Sequence, residues 1–355
     1  MTTDTGARIT RLADELLWTM LPLAYPVEAT LLGIREWDDR LPDRTEEGDA
    51  AYAAALRRIA DHTRRIDPDT LTGQDQITRA VTLSVIDTEL DRLSARAVEY
   101  TVAPSFLSPA TELLSQLAQV ALTDTAHLDG YLARLAGLPR LLDVVTRRHR
   151  DGIAAGRAPV LRLVKATVDQ LDRLLADPAA DPLRRPPPAE PAGAPRRWQD
   201  FRAAQDRLLE EEVRPALRRY RDALAGGIAE QARPDDRPGL CWLPDGEAYY
   251  AALVRFHTTT DRTPEDLHRT GLDLIAALEA EYAEVGSRAF GVSDPAEVRR
   301  RLRDDPTLLW RDGDELIAHA RATIARAEEA APAWFGRLPS RRCEVREIPA
   351  AEAPS

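Results

Sequence analysis

The stretch ITRAVTLSVIDTELDRL, residues 77–93, decides the fold class. Leu83, Ile86, Leu90 and Leu93 recur at steps of three and four residues, so they share one face of an α-helix. A strand would alternate every second residue instead. The same rhythm runs through 47–66, 110–122, 128–153, 161–175, 201–228, 264–289 and 313–330. Ser108-Pro109 and Thr263-Pro264 each set a capping hydroxyl before a proline suited to a first helical turn. Gly137 with Pro139, and Gly152 with Gly156, are expected to break or end helices. The reading is an all-α, multi-helix protein.

Working outward, residues 177–200, DPAADPLRRPPPAEPAGAPRRWQD, are too rich in proline to continue a helix. They are expected as an exposed loop between an N-terminal helical portion, 1–176, and a second helical portion of the same domain, 201–340. Residues 341–355 form a strand-like segment and tail, because CEVREIP, 343–349, alternates apolar and charged side chains. A lone strand leaves backbone donors and acceptors unpaired, so it should look for a partner.

The chain has 355 residues, with 59 acidic against 48 basic side chains and a formal net charge of −11; Lys165 is its one lysine. That balance argues against general nucleic-acid binding, which neutralises phosphates with Lys and Arg. No apolar run reaches the roughly 20 residues needed to span a bilayer, and the polar start lacks a signal-peptide pattern, so the expectation is no membrane and a cytoplasmic location. Cys241 and Cys343 are too few and too far apart for a disulfide framework or a zinc knuckle.

None of the six histidines forms a His-Glu-x-x-His pattern, and no nucleophile elbow, Walker loop or dinucleotide fingerprint occurs. His62 and His149, in Arg-rich helical ends, read as solvated or capping residues. Asp38, Asp39 and Asp43 could hold Mg²⁺ for an isoprenoid diphosphate; the plainer reading is a polar loop with Asp43 near a helix start. In 249–271, YYAALVRFHTTTDRTPEDLHRTG, the aromatics can be core and the threonines a cap. The alternative is a substrate site in which Tyr249, Tyr250, Arg255, His257, Thr258 and Thr259 hold a peptide backbone, a carboxylate or a small molecule. Downstream, TPED opens a helix whose buried stripe is expected to be Leu267, Leu274, Leu278, Tyr282 and Val285.

YYAALVRFHTTTDRTPEDLHRTGL closely resembles the signature of the bacterial domain-of-unknown-function 885 proteins. YPVEATLLGIREWDDRLPD, YLARLAGLPRLLDVVTRRHRDGIAAG and DELIAHARATIARAEEAAPAWFGRLPSRRCEVREIP resemble further segments of that family, so the likeness covers essentially the whole chain. It implies a mostly helical fold like that of zinc peptidases with a deep channel, and a peptidase-type activity using zinc. In the family, a helix carrying His-Glu and then Pro-Gly-His follows the segment matching CEVREIP. No residue here matches that motif, so no catalytic or metal residue carries over. The resemblance therefore implies a substrate-channel lobe without its zinc centre. It would act with a complementing C-terminal half or by self-association; the competing expectation is a non-catalytic binding or scaffold protein.

Overall fold

The computed structural model describes residues 4–104, 108–178, 181–184 and 195–347. It is about 73% helical with almost no strand. By its internal contacts the chain divides into two units, Met1–Thr260 and Asp261–Ala353. The division falls at the end of the HTTT run, not in the proline-rich stretch.

In the first unit, α1 (Asp4–Ala24), α3 (Glu46–Arg64) and α4 (Gln74–Ser94) pack on one another. They close a core of Ile9, Leu12, Leu16, Tyr52, Leu56, Ile59 and Ile86, with Leu83, Leu90 and Leu93 packed against it. The face read from 77–93 is thus the inward one. α1 has no counterpart among the helices read from the sequence. The short α2 (Pro26–Leu31) packs on α5 (Thr111–Gln119). α5 starts without a side-chain cap, so Ser108 does not play the expected role.

A second core joins α5, α6 (Ala126–Ala154), α7 (Leu161–Ala176) and a long helix that begins as α8 (Pro195–Leu208) and continues as α9 (Arg214–Ala223). α6 runs straight through Gly137 and Pro139. An internal proline costs about 3 kcal/mol, but Leu135, Leu138, Leu142 and Val145 are all buried here, and burying such side chains is worth about 1.5–3 kcal/mol each. Between α8 and α9 lies a π-turn, Leu209–Val213. It sits just before Pro215, whose ring would clash with the carbonyl four residues earlier in a regular helix. A second π-turn, Leu224–Ile228, contains Gly226 at φ −92°, ψ −120°.

The proline-rich stretch departs from its expected exposure at Asp181, Leu183 and Trp198, while Asp177, Pro178, Arg196, Arg197, Gln199 and Asp200 are exposed as expected. Leu183 is fully buried and its carbonyl accepts the Tyr131 hydroxyl at 2.8 Å. Asp181 makes a buried ion pair with Arg214 at 3.1 Å. The last residues of the stretch already belong to α8, where Trp198 is buried. Apolar and pairable residues between the prolines anchor the turn; residues 179–180 and 185–194 lie outside the described set.

α10 (Gly246–Thr258) ends the first unit. The second contains α11 (Pro264–Phe290), α12 (Pro295–Asp304) and α13 (Gly313–Ala330). Thr263 caps α11 as its sequence implied: its Oγ1 accepts from Asp266 N at 3.1 Å, and Asp266 returns a bond to the Thr263 amide. The expected buried stripe of α11 is not buried. Leu274 is 58% exposed, Leu278 50%, Tyr282 36% and Val285 43%, while Leu267 is half-buried. The reason is local: among the described residues, Val298 is the one buried apolar side chain of this unit, so no second layer covers the stripe. Residues 343–347 also lack the expected strand pairing. Side chains of α13 take their backbone groups, Glu328 accepting from Cys343 N at 3.1 Å and Arg321 donating to Val345 O at 3.3 Å. Ile348 and Pro349 lie outside the described residues.

Candidate functional site

Glu89 sits at core spacing on α4, three residues after Ile86, and is buried. A buried carboxylate needs donors, and three converge on it. Tyr25 donates at 2.6 Å, Tyr52 at 3.2 Å and Arg92 at 2.8 Å. The two phenols are pushed up, by burial first and by the Glu89 charge as well. Burial alone would lower Arg92, but Glu89 more than reverses this, and the guanidinium is held firmly charged.

Around this anchor the polar groups are less well matched. Arg44, in the turn before α3, is partly buried and its Nε is sealed from solvent. Its side chain makes no hydrogen bond or ion pair among the described residues, although it lies within electrostatic reach of Arg92, Glu112, Tyr25 and Glu28. Burial, followed by the Arg92 charge, pulls it down. The Nε of Arg92 likewise finds no acceptor. Gln116 on α5 donates to Glu28 at 3.1 Å and to Glu112 at 3.4 Å, while its own amide oxygen is buried without a donor. Glu112 is pushed up by burial and then by Glu28. Tyr249 on α10 lies within reach of Arg92, and Tyr100 within reach of Tyr249; burial raises both phenols, and neither hydroxyl has a hydrogen-bond partner among the described residues. Glu28, Arg92, Glu112 and Tyr249, from α2, α4, α5 and α10, thus lie in one electrostatic neighbourhood of the first unit together with Arg44.

Of the six residues singled out near the HTTTD run, the structure gathers two on one groove. Tyr249 and Arg255 line an open groove of about 310 Å³ between α10 and α4, with Asp91, Ser94 and Asp245. Tyr250 is half exposed on another side of the helix. The His257 ring is exposed and packs against Phe256 at 4.8 Å. Thr258 donates to Val254 O at 2.8 Å, and Thr259 closes α10 at φ 52° with its amide on Arg255 O. These threonines cap a helix.

Of Asp38, Asp39 and Asp43, the first and last are likewise spoken for, while Asp39 is exposed and 3.9 Å from Arg40. Asp38 accepts from Thr30 at 2.6 Å and pairs with Arg35 at 2.9 Å, while Asp43 accepts from Thr45 N at 2.9 Å. Among the described residues, no group of three His, Cys, Asp or Glu side chains comes together to hold a metal. The donor set there, phenols and guanidiniums beside the three carboxylates Glu28, Glu89 and Glu112, does not fit zinc either. His149 also differs from its expected surface role: it is fully buried in α6, bonded to the Glu99 carbonyl and to Tyr220. The sequence reading passed over Tyr25, Glu28, Arg44, Glu89, Arg92 and Glu112. A glutamate on the apolar face of α4 was the available signal.

The fold defines an all-helical protein. The chain belongs to the DUF885 family, described as bacterial protein of unknown function, whose model matches residues 26–355. Among solved structures it is similar to "the putative lipoprotein from Colwellia psychrerythraea", with a TM-score of 0.76 at 15% identity. That match covers 96% of this chain and 62% of the neighbour, so the chain spans less than two thirds of that protein's length. No curated protein matches the chain. No described helix is long and apolar enough to cross a membrane.

Proposed function

We propose that this chain forms the substrate-channel lobe of a metallopeptidase-like hydrolase of its family. It supplies ligand binding rather than the catalytic metal. The observation that carries this reading is a set of buried side-chain atoms without a hydrogen-bond partner among the described residues: the Nε of Arg44, the Nε of Arg92 and the amide oxygen of Gln116. Buried polar groups in folded proteins are nearly always satisfied, so a cluster that is not suits a polar ligand. A metal-bound water and a carboxylate to take its proton are required for zinc hydrolysis; the residues described here supply no ligand set for that step. The partner that goes with this reading is a complementing polypeptide.

The test is fluorescence anisotropy with short labelled peptides, run beside a hydrolysis assay and metal analysis. Saturable binding without turnover supports the reading. One tightly held zinc per chain with chelator-sensitive cleavage contradicts the division of labour, and no binding contradicts the channel. The second reading, a non-catalytic binding or scaffold protein, uses the same groups. It is favoured if no complementing polypeptide restores hydrolysis. We propose a cytoplasmic location, whereas the neighbour's title describes that protein as a lipoprotein; cell fractionation separates the two.

A further inference from the structure

The groove of about 310 Å³ between α4 and α10 gathers charged side chains that pair with nothing around them. Asp245, Tyr249 and Arg255 line it from α10 and Asp91 and Ser94 from α4, with Ala95, Ala248 and Ala252 among them. Asp245 holds the position from which an aspartate ordinarily caps its own helix. It is left-handed instead, at φ 58°, and its side chain makes no cap bond. Neither Asp91 nor Arg255 enters a side-chain hydrogen bond or ion pair among the described residues. Arg92, next to Asp91, turns to Glu89 at 2.8 Å. Arg255 thus shares a groove with two carboxylates and closes on neither. Asp245 and Arg255 are ten positions apart on α10, which sets their backbones about 15 Å apart along the helix. Asp91 lies within reach of Tyr249, one turn on from Asp245. The groove is therefore acidic at one end and basic at the other.

We infer that this groove takes the last residue of a peptide that ends in arginine or lysine. The α-carboxylate of that residue pairs with Arg255, and its cationic head lies between Asp91 and Asp245. Guanidinium to carboxylate is the directional half of the recognition. The aliphatic stem runs past Ala252 and Ala248, whose small side chains leave it room, and past the Tyr249 ring, whose face attracts a cation. A small amino acid carries its two charges on one carbon and cannot reach both ends; the long stem of a basic residue can. An acidic last residue would set like charges against Asp91 and Asp245. The volume is at the small end for a ligand site, which suits a single residue. This inference rests on the channel reading and assigns a side-chain preference to one end of the peptide.

Calorimetric titration of the full 355-residue chain tests it with four acetylated tripeptides. They are dialanyl-arginine, its C-terminal amide, dialanyl-norleucine and dialanyl-glutamate. The arginine peptide should bind about tenfold or more tightly than its amide and than the norleucine peptide, the value of one charge-assisted hydrogen bond. The glutamate peptide should bind most weakly. Arg255→Met should bring the arginine peptide down to its amide and leave the amide unchanged. Asp245→Asn, which keeps the shape, should weaken the arginine peptide and leave the norleucine peptide unchanged. Circular dichroism melting checks that both variants fold. Equal binding of the arginine and norleucine peptides, or of the arginine peptide and its amide, overturns the inference, as does unchanged affinity in both variants. Binding that ignores the last residue would overturn it while leaving the channel reading in place; no binding of any peptide removes both.

Discussion

The Nε2 of His149 lies 3.2 Å from the Tyr220 hydroxyl, and both residues are sealed in the core of the first unit. Nδ1 is 3.1 Å from the Glu99 carbonyl, which can only accept, so the ring is neutral with its proton on Nδ1 and accepts from Tyr220 through Nε2. Burial pulls His149 down to about 4 from 6.5. The unfolded chain therefore binds this proton before the folded one does. The stabilisation is complete above pH 6.5 and is lost as pH falls toward 4, by about 3 kcal/mol in all. Denaturant unfolding of the parent chain and His149→Gln across pH 4–7 checks this: the difference in stability between them should shrink with acid. A constant difference would contradict the neutral, buried ring.

Glu99 is buried beside His149 and takes Arg157 at 2.6 Å and Arg148 at 3.6 Å, with Arg96 as a third partner. Removing the carboxylate takes a partner from Arg157, Arg96 and the buried Arg148, of which Arg148 keeps Asp49 at 2.8 Å. Glu99→Ala should cost about 3–5 kcal/mol, the usual penalty for breaking a buried charge network from one side. A urea melt showing a loss below about 1 kcal/mol would mean that the network is dispensable.

Thr263 and Asp266 form a reciprocal cap at the start of α11. Thr263→Ala should destabilise by about 1 kcal/mol, and Thr263→Ser, which keeps the hydroxyl, by much less. Equal effects from both would assign the loss to the methyl group instead.

The second unit exposes Leu274, Ile275 and Leu278 on α11, and Trp334 and Phe335 are 80% and 65% exposed. Apolar surface of this extent marks an interaction site or a tendency to associate. Sedimentation velocity of the purified chain should show concentration-dependent self-association, relieved in Leu274→Glu with Leu278→Glu. A monomer at all concentrations, with no binding of an apolar dye, would contradict this.

The helices were legible because burial dictates their period. Tyr52, Leu56 and Ile59, or Leu135, Leu138 and Leu142, have one way to face a core. α11 shows the limit of that rule, since its apolar stripe predicts a helix correctly and burial wrongly. Periodicity reports which face is apolar, not whether something covers it. The proline-rich stretch failed for the opposite reason: Leu183 and Trp198, scattered among prolines, have no period but find a core. The polar cluster was hardest to read. Tyr25, Arg44, Glu89, Glu112 and Tyr249 come from five separate segments, and only long-range packing assembles them. The HTTT run stood out by composition, yet most of its polarity is spent closing α10.

Photo-crosslinking with a tripeptide that carries a benzophenone side chain and free termini tests the central claim most directly. Digestion and mass spectrometry of the labelled chain should place the crosslink on segments bearing Arg92, Tyr100 or Tyr249, with excess unlabelled tripeptide abolishing it. Labelling confined to α11, or spread over the surface without competition, would contradict a binding cleft in the first unit.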